Sequence, residues 1–238
     1  MKIGARTHIG KVRQLNEDSL FVDEKSGVFV VADGMGGHNA GDVASTIAIE
    51  VVSETLMNNN FNGAIKPLDK VVESIKLANS KIYQKAKDDT ACLGMGTTCT
   101  VAHIREDIMY IGHVGDSRLY ILREDQLKQV TQDQTLVESL VRDGKITREE
   151  AKIHPKRNML LNAVGTDAEL EVDRHEVTLI NGDTVLICSD GLNGLIEDHQ
   201  IKATLQKSAE AEEICNSLID MANDRGGYDN ITAVVIKY

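Results

Sequence analysis

Five aspartates stand where a carboxylate can do chemistry as well as hold a turn in water. Asp33 follows the apolar run Val28-Phe29-Val30-Val31-Ala32 and precedes Gly34-Met35-Gly36-Gly37-His38. A strand-like run therefore hands its acid to a loop with almost no side-chain bulk. Such an acid, with bare carbonyls beside it, can face a small hard ion or a phosphate. One Asp-Gly pair after a strand is an ordinary turn, but the pattern returns in Val185-Leu186-Ile187-Cys188-Ser189-Asp190-Gly191. Asp116 lies in Gly115-Asp116-Ser117-Arg118 between two runs of strand character, and Asp229 lies in Gly226-Gly227-Tyr228-Asp229-Asn230 before another. Asp18 closes Arg13-Gln14-Leu15-Asn16-Glu17-Asp18. Acids in such similar surroundings, scattered from residue 18 to residue 229, imply one site assembled from the whole fold. All-oxygen ligands favour magnesium, manganese or calcium over zinc.

The elements that must position these acids can be read from periodicity. Residues 3–33 predict two or three strands with a polar connection holding Arg13 and Asp18. A helix should start near Asp42, with Ala44, Ile47, Ala48, Val51 and Thr55 on one face, and end at Asn58-Asn59-Asn60. A second should start at Pro67, with Val71, Ile75, Ala78, Ile82 and Ala86 as its stripe. From Thr97 to Val130 the period changes to short β-rich runs, which predict one antiparallel meander with Gly115-Asp116 at a turn. Residues 131–165 are polar and helical, with a capping box at Thr147-Arg148-Glu149-Glu150, and should form a flap beside the site. Asn181-Gly182 between two strand-like runs predicts a hairpin. Ala209–Asn223 should be a further helix, with Ile214, Leu218 and Met221 inward, before a last strand. Strand clusters alternating with helices give an α+β fold of two packed sheets flanked by helices, with 1–238 as a single domain.

Composition narrows the partners. The 238 residues are 42% hydrophobic, enough for a real core, but tryptophan is absent and aromatics make up 3%, so packing rests on aliphatic side chains. A formal net charge of −11 argues against nucleic acid or an anionic membrane as partner. Cys92, Cys99, Cys188 and Cys215 show no C-x-x-C pairing, and two of them fall in apolar runs, which fits reduced thiols in the cytoplasm. Met1-Lys2-Ile3-Gly4-Ala5-Arg6 lacks the apolar core of a signal peptide, and no run approaches transmembrane length.

Taken in order, R-x-x-x-E-D at Arg13–Asp18, D-G-M-G-G-H at Asp33–His38, G-D-S-R at Gly115–Arg118, S-D-G-L at Ser189–Leu192 and G-G-x-D-N-I-T at Gly226–Thr232 resemble the metal-dependent protein phosphatases of type 2C, in their compact bacterial form. The resemblance runs from about Ile3 to Val235. It implies a four-layer α-β-β-α sandwich of two antiparallel sheets, with a flap at about 131–165. It also implies a monomeric enzyme hydrolysing phosphoserine and phosphothreonine in proteins, opposing a bacterial Ser/Thr kinase.

Four carboxylates in one cleft repel unless cations balance them. Two divalent ions match Asp18, Asp33, Asp190 and Asp229, and a pair roughly 3.5–4 Å apart can share a water and lower its pKa for attack on a phosphate monoester. By resemblance these are Mn2+ or Mg2+: Asp33 bridges them, Gly34 offers its carbonyl, Asp190 and Asp229 bind directly, and Asp18 acts mainly through a water. Asp116 resembles the ligand of a third, weaker ion shared with Asp190. Arg13 suits the substrate phosphate, because its planar fork grips two oxygens and keeps its charge. Either His38 or a metal-bound water could protonate the leaving alkoxide, since Met35 stands where many relatives carry the acid. Cys188 lacks the glycine-rich, arginine-ended loop of a thiol phosphatase. The flap departs from the bacterial pattern twice, with Asp133-Gln134-Thr135 in place of D-H-S and Leu161-Asn162-Ala163-Val164-Gly165 in place of T-R-A-L-G. Two rivals are a phosphatase fold kept only to bind phosphorylated partners, and another two-metal hydrolase such as a phosphodiesterase.

Overall fold

The computed structural model describes residues 1–36, 40–58 and 65–238. Three strands open the chain, β1 (Lys2–His8), β2 (Asp18–Asp23) and β3 (Val28–Met35). The sequence places the end of the third at Asp33, but β3 continues through it. Gly34 and Met35 pair with Thr97 and Gly96 of the short β4 (Gly96–Thr97), so the acid sits inside a strand and not at its mouth. Helices α1 (Gly41–Met57) and α2 (Pro67–Asp88) follow as expected, the second with Pro67 at its first turn. All five residues of the α2 stripe are buried. The stripe on α1 is wider than the sequence suggests: Ile49, Val52 and Leu56 are buried, while Ile47 and Thr55 are only half-buried. That helix packs on β3 and α2 together, so most of its circumference is covered.

The single meander expected over Thr97–Val130 does not form. β5 (Cys99–Arg105) pairs with β6 (Ile108–Val114), and β7 (Arg118–Arg123) pairs with β8 (Gln126–Gln129), but the two hairpins belong to different sheets. Gly115-Asp116-Ser117 therefore steps from one sheet to the other. The cause is burial on both faces: Leu119 and Ile121 face the second sheet while Tyr120 and Leu122 face helices, so β7 must be an interior strand of its own sheet. The hairpin expected at Asn181-Gly182 also fails. After α3 (Leu136–Arg142) and α4 (Arg148–Ile153), β9 (Asp173–Thr178) takes the edge beside β6. β10 (Thr184–Cys188) lies between β7 and β11 (Ile231–Lys237) of the other sheet. β10 is buried at every residue and needs two neighbours, whereas β9 is half-exposed and suits an edge. The link between them is fastened to both sheets: Leu179 N–H donates to Asp107 O and Gly182 N–H to Tyr238 O.

Two helices not anticipated from sequence, α5 (Asp190–Asn193) and α6 (Asp198–Leu205), precede α7 (Ala211–Asp224). The signal for α6 was present as Glu197 and Gln200, which form a reciprocal capping box. The result is two antiparallel sheets, one ordered β1-β11-β10-β7-β8 and the other β2-β3-β5-β6-β9 with β4 beside β3. Helices α1 and α2 cover the second sheet, and α5, α6 and α7 cover the first. This is the α-β-β-α sandwich of the α+β class. No helix among the described residues is long and apolar enough to cross a membrane.

Candidate metal centre

The face where the sheets meet changes character along its length. On alternate residues β3 presents Phe29, Val31 and then Asp33, β2 presents Val22, Leu20 and then Asp18, and β10 presents Val185, Ile187 and then Ser189. β11 runs from Ile236 and Val234 to Thr232, and β7 from Ile121 and Leu119 back to Ser117. Side chains on one face recur every second residue. Each strand thus passes from an apolar plug to a polar tip, and the tips meet at one end of the sandwich.

Asp18 and Asp33 stand opposite each other in the β2–β3 register. One oxygen of Asp18, Oδ2, accepts hydroxyl hydrogen bonds from Ser189 at 2.7 Å and Thr232 at 2.6 Å, both reaching across from the other sheet. The other, Oδ1, is buried without a partner. Burial pushes the Asp18 pKa up to about 7, against the pull of those two hydroxyls and with a further push from Asp190 and Asp229. Asp33 is held by its backbone, whose N–H donates to Thr98 Oγ1 at 2.9 Å and whose carbonyl accepts from Thr98 N–H at 2.8 Å and Thr97 Oγ1 at 2.9 Å. Its pKa stands well above the ordinary range through burial first, then the charges of Asp18, Asp190, Asp116 and Asp229. Gly34 has no room for a side chain: a Cβ there would lie 2.1 Å from the Gly41 carbonyl oxygen.

Asp190 opens α5 directly after Ser189. Burial and then Asp229 push its pKa up to about 6, and a hydrogen bond shared with Asp33 opposes them. Asp116, in the step between sheets, is raised well above its usual value by burial, then by Asp190 and Asp133. Asp229 lies at the rim, where Arg13 donates to its Oδ2 at 2.9 Å and stands 3.8 Å from Glu17. The structure thus brings all five aspartates and Arg13 to one end of the molecule. His38 lies outside the described residues. Cys188 is fully buried, and burial pushes its thiol up to about 12, which leaves it inert as a nucleophile.

Several supporting residues escaped the sequence reading. Asn230 closes the loop that carries Arg13: its Nδ2 donates to Ile9 O and Leu15 O, each at 2.9 Å, and its Oδ1 accepts Glu17 N–H at 2.9 Å. Asp133 is neutralised by Arg118, whose fork reaches it at 2.6 and 2.8 Å. The only forewarning was that Asn230 follows Asp229 and that Arg118 stands two residues past Asp116. The two flap departures touch each other, with Asn162 Nδ2 donating to Gln134 Oε1 at 2.9 Å.

Among the described residues no three His, Cys, Asp or Glu side chains already close round one point. The acids nevertheless fit a hard cation. Four of them hold raised pKa values, through burial first and the charges of neighbouring acids after it, and the bare, buried Asp18 Oδ1 lacks the partner that a cation or its water supplies.

Residues 6–232 match the family described as Protein phosphatase 2C. The chain is 36% identical over 236 residues to the serine/threonine phosphatase stp of Listeria innocua, covering 98% of this chain and 94% of that one. It superposes on the Mycobacterium tuberculosis serine/threonine phosphatase PstP/Ppp with a TM-score of 0.90 at 36% identity, covering 98% and 97% of the two chains. A structure of the catalytic domain of the serine/threonine protein phosphatase PstP in complex with two manganese ions matches with a TM-score of 0.88 at 35% identity, covering 98% and 96%. Identity at this level over almost the full length, on the same fold, leaves one assignment: the chain belongs to the protein phosphatase 2C family.

Proposed function

We propose that this chain is a metal-dependent phosphatase that removes phosphate from phosphoserine and phosphothreonine in proteins. The observation that carries the reading is the gathering of five carboxylates at the polar end of the inter-sheet face, with the Arg13 guanidinium at their rim. Asp33, the Gly34 carbonyl, Asp190 and Asp229 would hold two Mn2+ or Mg2+ ions, with Asp18 acting through water and Asp116 toward a third, weaker ion. When bound, the divalent pair supplies Lewis acidity to the phosphoryl oxygens and makes water acidic enough to attack near neutral pH.

The chain's own residues supply the rest. Thr97 and Thr98 fix the Asp33 backbone, so its carboxylate is aimed before substrate arrives. Ser189 and Thr232 occupy Asp18 Oδ2 and leave Oδ1 free toward the site. Arg13, half-exposed and permanently charged, takes two phosphate oxygens. The leaving alkoxide gains its proton from His38 or from water beside Asp116. Residues 1–238 form one catalytic domain with a flap at 131–165. It works as a cytoplasmic monomer on the products of a Ser/Thr protein kinase; the four free, buried cysteines suit a reducing compartment.

The test is hydrolysis of a phosphothreonine peptide, para-nitrophenyl phosphate and a phosphodiester, each with Mn2+ and with chelator. Monoester turnover that chelator abolishes is the expected result. Turnover indifferent to chelator, or faster on the diester, would overturn it, and tight binding of the peptide without turnover would favour the binding-module reading.

A further inference from the structure

Gln134 stands at the root of the flap, next to the Arg118–Asp133 pair, and every polar group on it is engaged. Its backbone N–H donates to Gly115 O at 2.8 Å, and its Oε1 accepts Gly115 N–H at 2.9 Å. Both backbone groups of Gly115 thus end on one residue. The same Oε1 accepts Asn162 Nδ2 at 2.9 Å, and Nε2 donates to Asp173 Oδ2 at 2.9 Å. The Gln134 carbonyl accepts Leu161 N–H at 2.8 Å. Two donors on the oxygen and a carboxylate on the nitrogen fix which way round the amide lies. One side chain therefore joins the Asp116 turn, the return leg of the flap and the first residue of β9.

The turn is gripped from its other side as well. Gly115 has φ +106, and a Cβ there would come within 2.6 Å of Thr98 Cγ2. Thr98 in turn bonds Ser117 Oγ at 2.8 Å and receives the Asp33 N–H. Gly115 and Ser117, on either side of Asp116, are thus held by Gln134 and by Thr98 beside the Asp33 strand. A glutamine that only glued the flap down would satisfy Asn162 and Asp173 and leave Gly115 to other partners. Here the bonds to Gly115 and to Asn162 share one oxygen.

We propose that Gln134 is a positioning residue for Asp116, transmitting the placement of the flap at Asn162 to the aim of that carboxylate. Its catalytic consequence rests on the reading of Asp116 as an acid facing a divalent ion; the transmission itself does not. The experiment compares wild type, Asn162→Ala, Gln134→Ala, Gln134→Glu and Asp116→Ala. In chelator, amide hydrogen exchange is followed at Gly115 and at Thr98. In Mn2+, turnover of a phosphothreonine peptide is followed as a function of metal concentration.

Asn162→Ala, which removes no bond to Gly115, should speed Gly115 exchange about fivefold, the effect of losing one ordinary hydrogen bond, and leave Thr98 unchanged. Gln134→Glu, made together with Asp173→Asn so that no second carboxylate faces it, keeps both acceptor bonds and should keep Gly115 protected, even if Gln134→Ala does not fold. Gln134→Ala should raise the half-saturating Mn2+ about fivefold, in the same direction as Asp116→Ala. Wild-type Gly115 exchange in Asn162→Ala overturns the transmission. A wild-type metal dependence in Gln134→Ala, beside a shifted one in Asp116→Ala, overturns the positioning role. An unshifted Asp116→Ala overturns the ion reading of Asp116, and the exchange measurement still decides the transmission.

Discussion

Four other acids push on Asp33 while its backbone is locked to Thr97 and Thr98. Asp33→Asn keeps the shape and the strand, yet removes the one charge that the proposed function sets between two ions. Turnover should fall by at least about a hundredfold, as loss of a metal ligand does, with an unchanged circular dichroism spectrum. A folded Asp33→Asn protein with most of its activity would sink the metal assignment. Arg13 works differently, because its partners Asp229 and Glu17 lie at the rim. Arg13→Ala should mainly raise KM, by roughly tenfold for a lost two-pronged contact, and Arg13→Lys should recover only part of it. Equal kinetics in all three proteins would reduce Arg13 to a surface ion pair. Asp33 was legible because its pattern of strand-like run, acid and glycine returns at Asp190, and Arg13 because of its offset before Glu17-Asp18. Ser189 and Thr232 were not legible as supports of Asp18, because small hydroxyl residues in strands are commonplace until their partner is known.

Elements decide whether such residues stay aimed. The loop between β1 and β2 carries Arg13 and is closed at both ends by the buried Asn230 side chain, which bonds Ile9, Leu15 and Glu17. Asn230→Ala leaves two carbonyls and one N–H to find other partners, so it should cost about 2–3 kcal/mol of stability. It should also raise KM in the manner of Arg13→Ala, although Asn230 touches no phosphate. Urea unfolding and steady-state kinetics on one preparation check both, and an unaltered KM beside lowered stability would confine Asn230 to a structural role. The strands and the helix pair were readable from period alone, since alternation and i, i+3, i+4 stripes are local signals. Sheet membership was not. Asn181-Gly182 and Gly115-Asp116 look like hairpin turns from their own residues, and only the burial of β7 and β10 on both faces assigns their strands to different sheets. That misreading hid why Asp116 reaches the site at all: it lies on a crossing between sheets.

At the scale of the molecule, folding itself concentrates charge. A chain of net charge −11 threads Asp18, Asp33, Asp116 and Asp190 into the one polar end of a dry inter-sheet face. The assembly of distant acids was legible in their shared surroundings, but the gradient along five strands was not, since it exists only when the strands are aligned. Its energetic consequence can be signed. Burial and mutual repulsion lift the folded pKa of Asp18 to about 7 and of Asp190 to about 6, above the ordinary carboxylate value of about 3.9 in the unfolded chain. Between those values the folded state binds more protons than the unfolded state, so stability falls as pH rises from about 4 to about 7. Divalent ions replace those protons and oppose the loss. In chelator the melting temperature should therefore drop by about 5 °C or more between pH 5 and pH 8, the scale of a one- to two-kcal/mol change in a chain of this size. Saturating Mn2+ should flatten that slope, and Asp33→Asn, with one buried charge fewer, should melt higher than wild type in chelator at pH 8. Thermal melts at both pH values, with and without metal, decide the matter. A chelator slope of zero, or a slope that Mn2+ leaves untouched, would mean that these carboxylates are not the cluster that the metal stabilises.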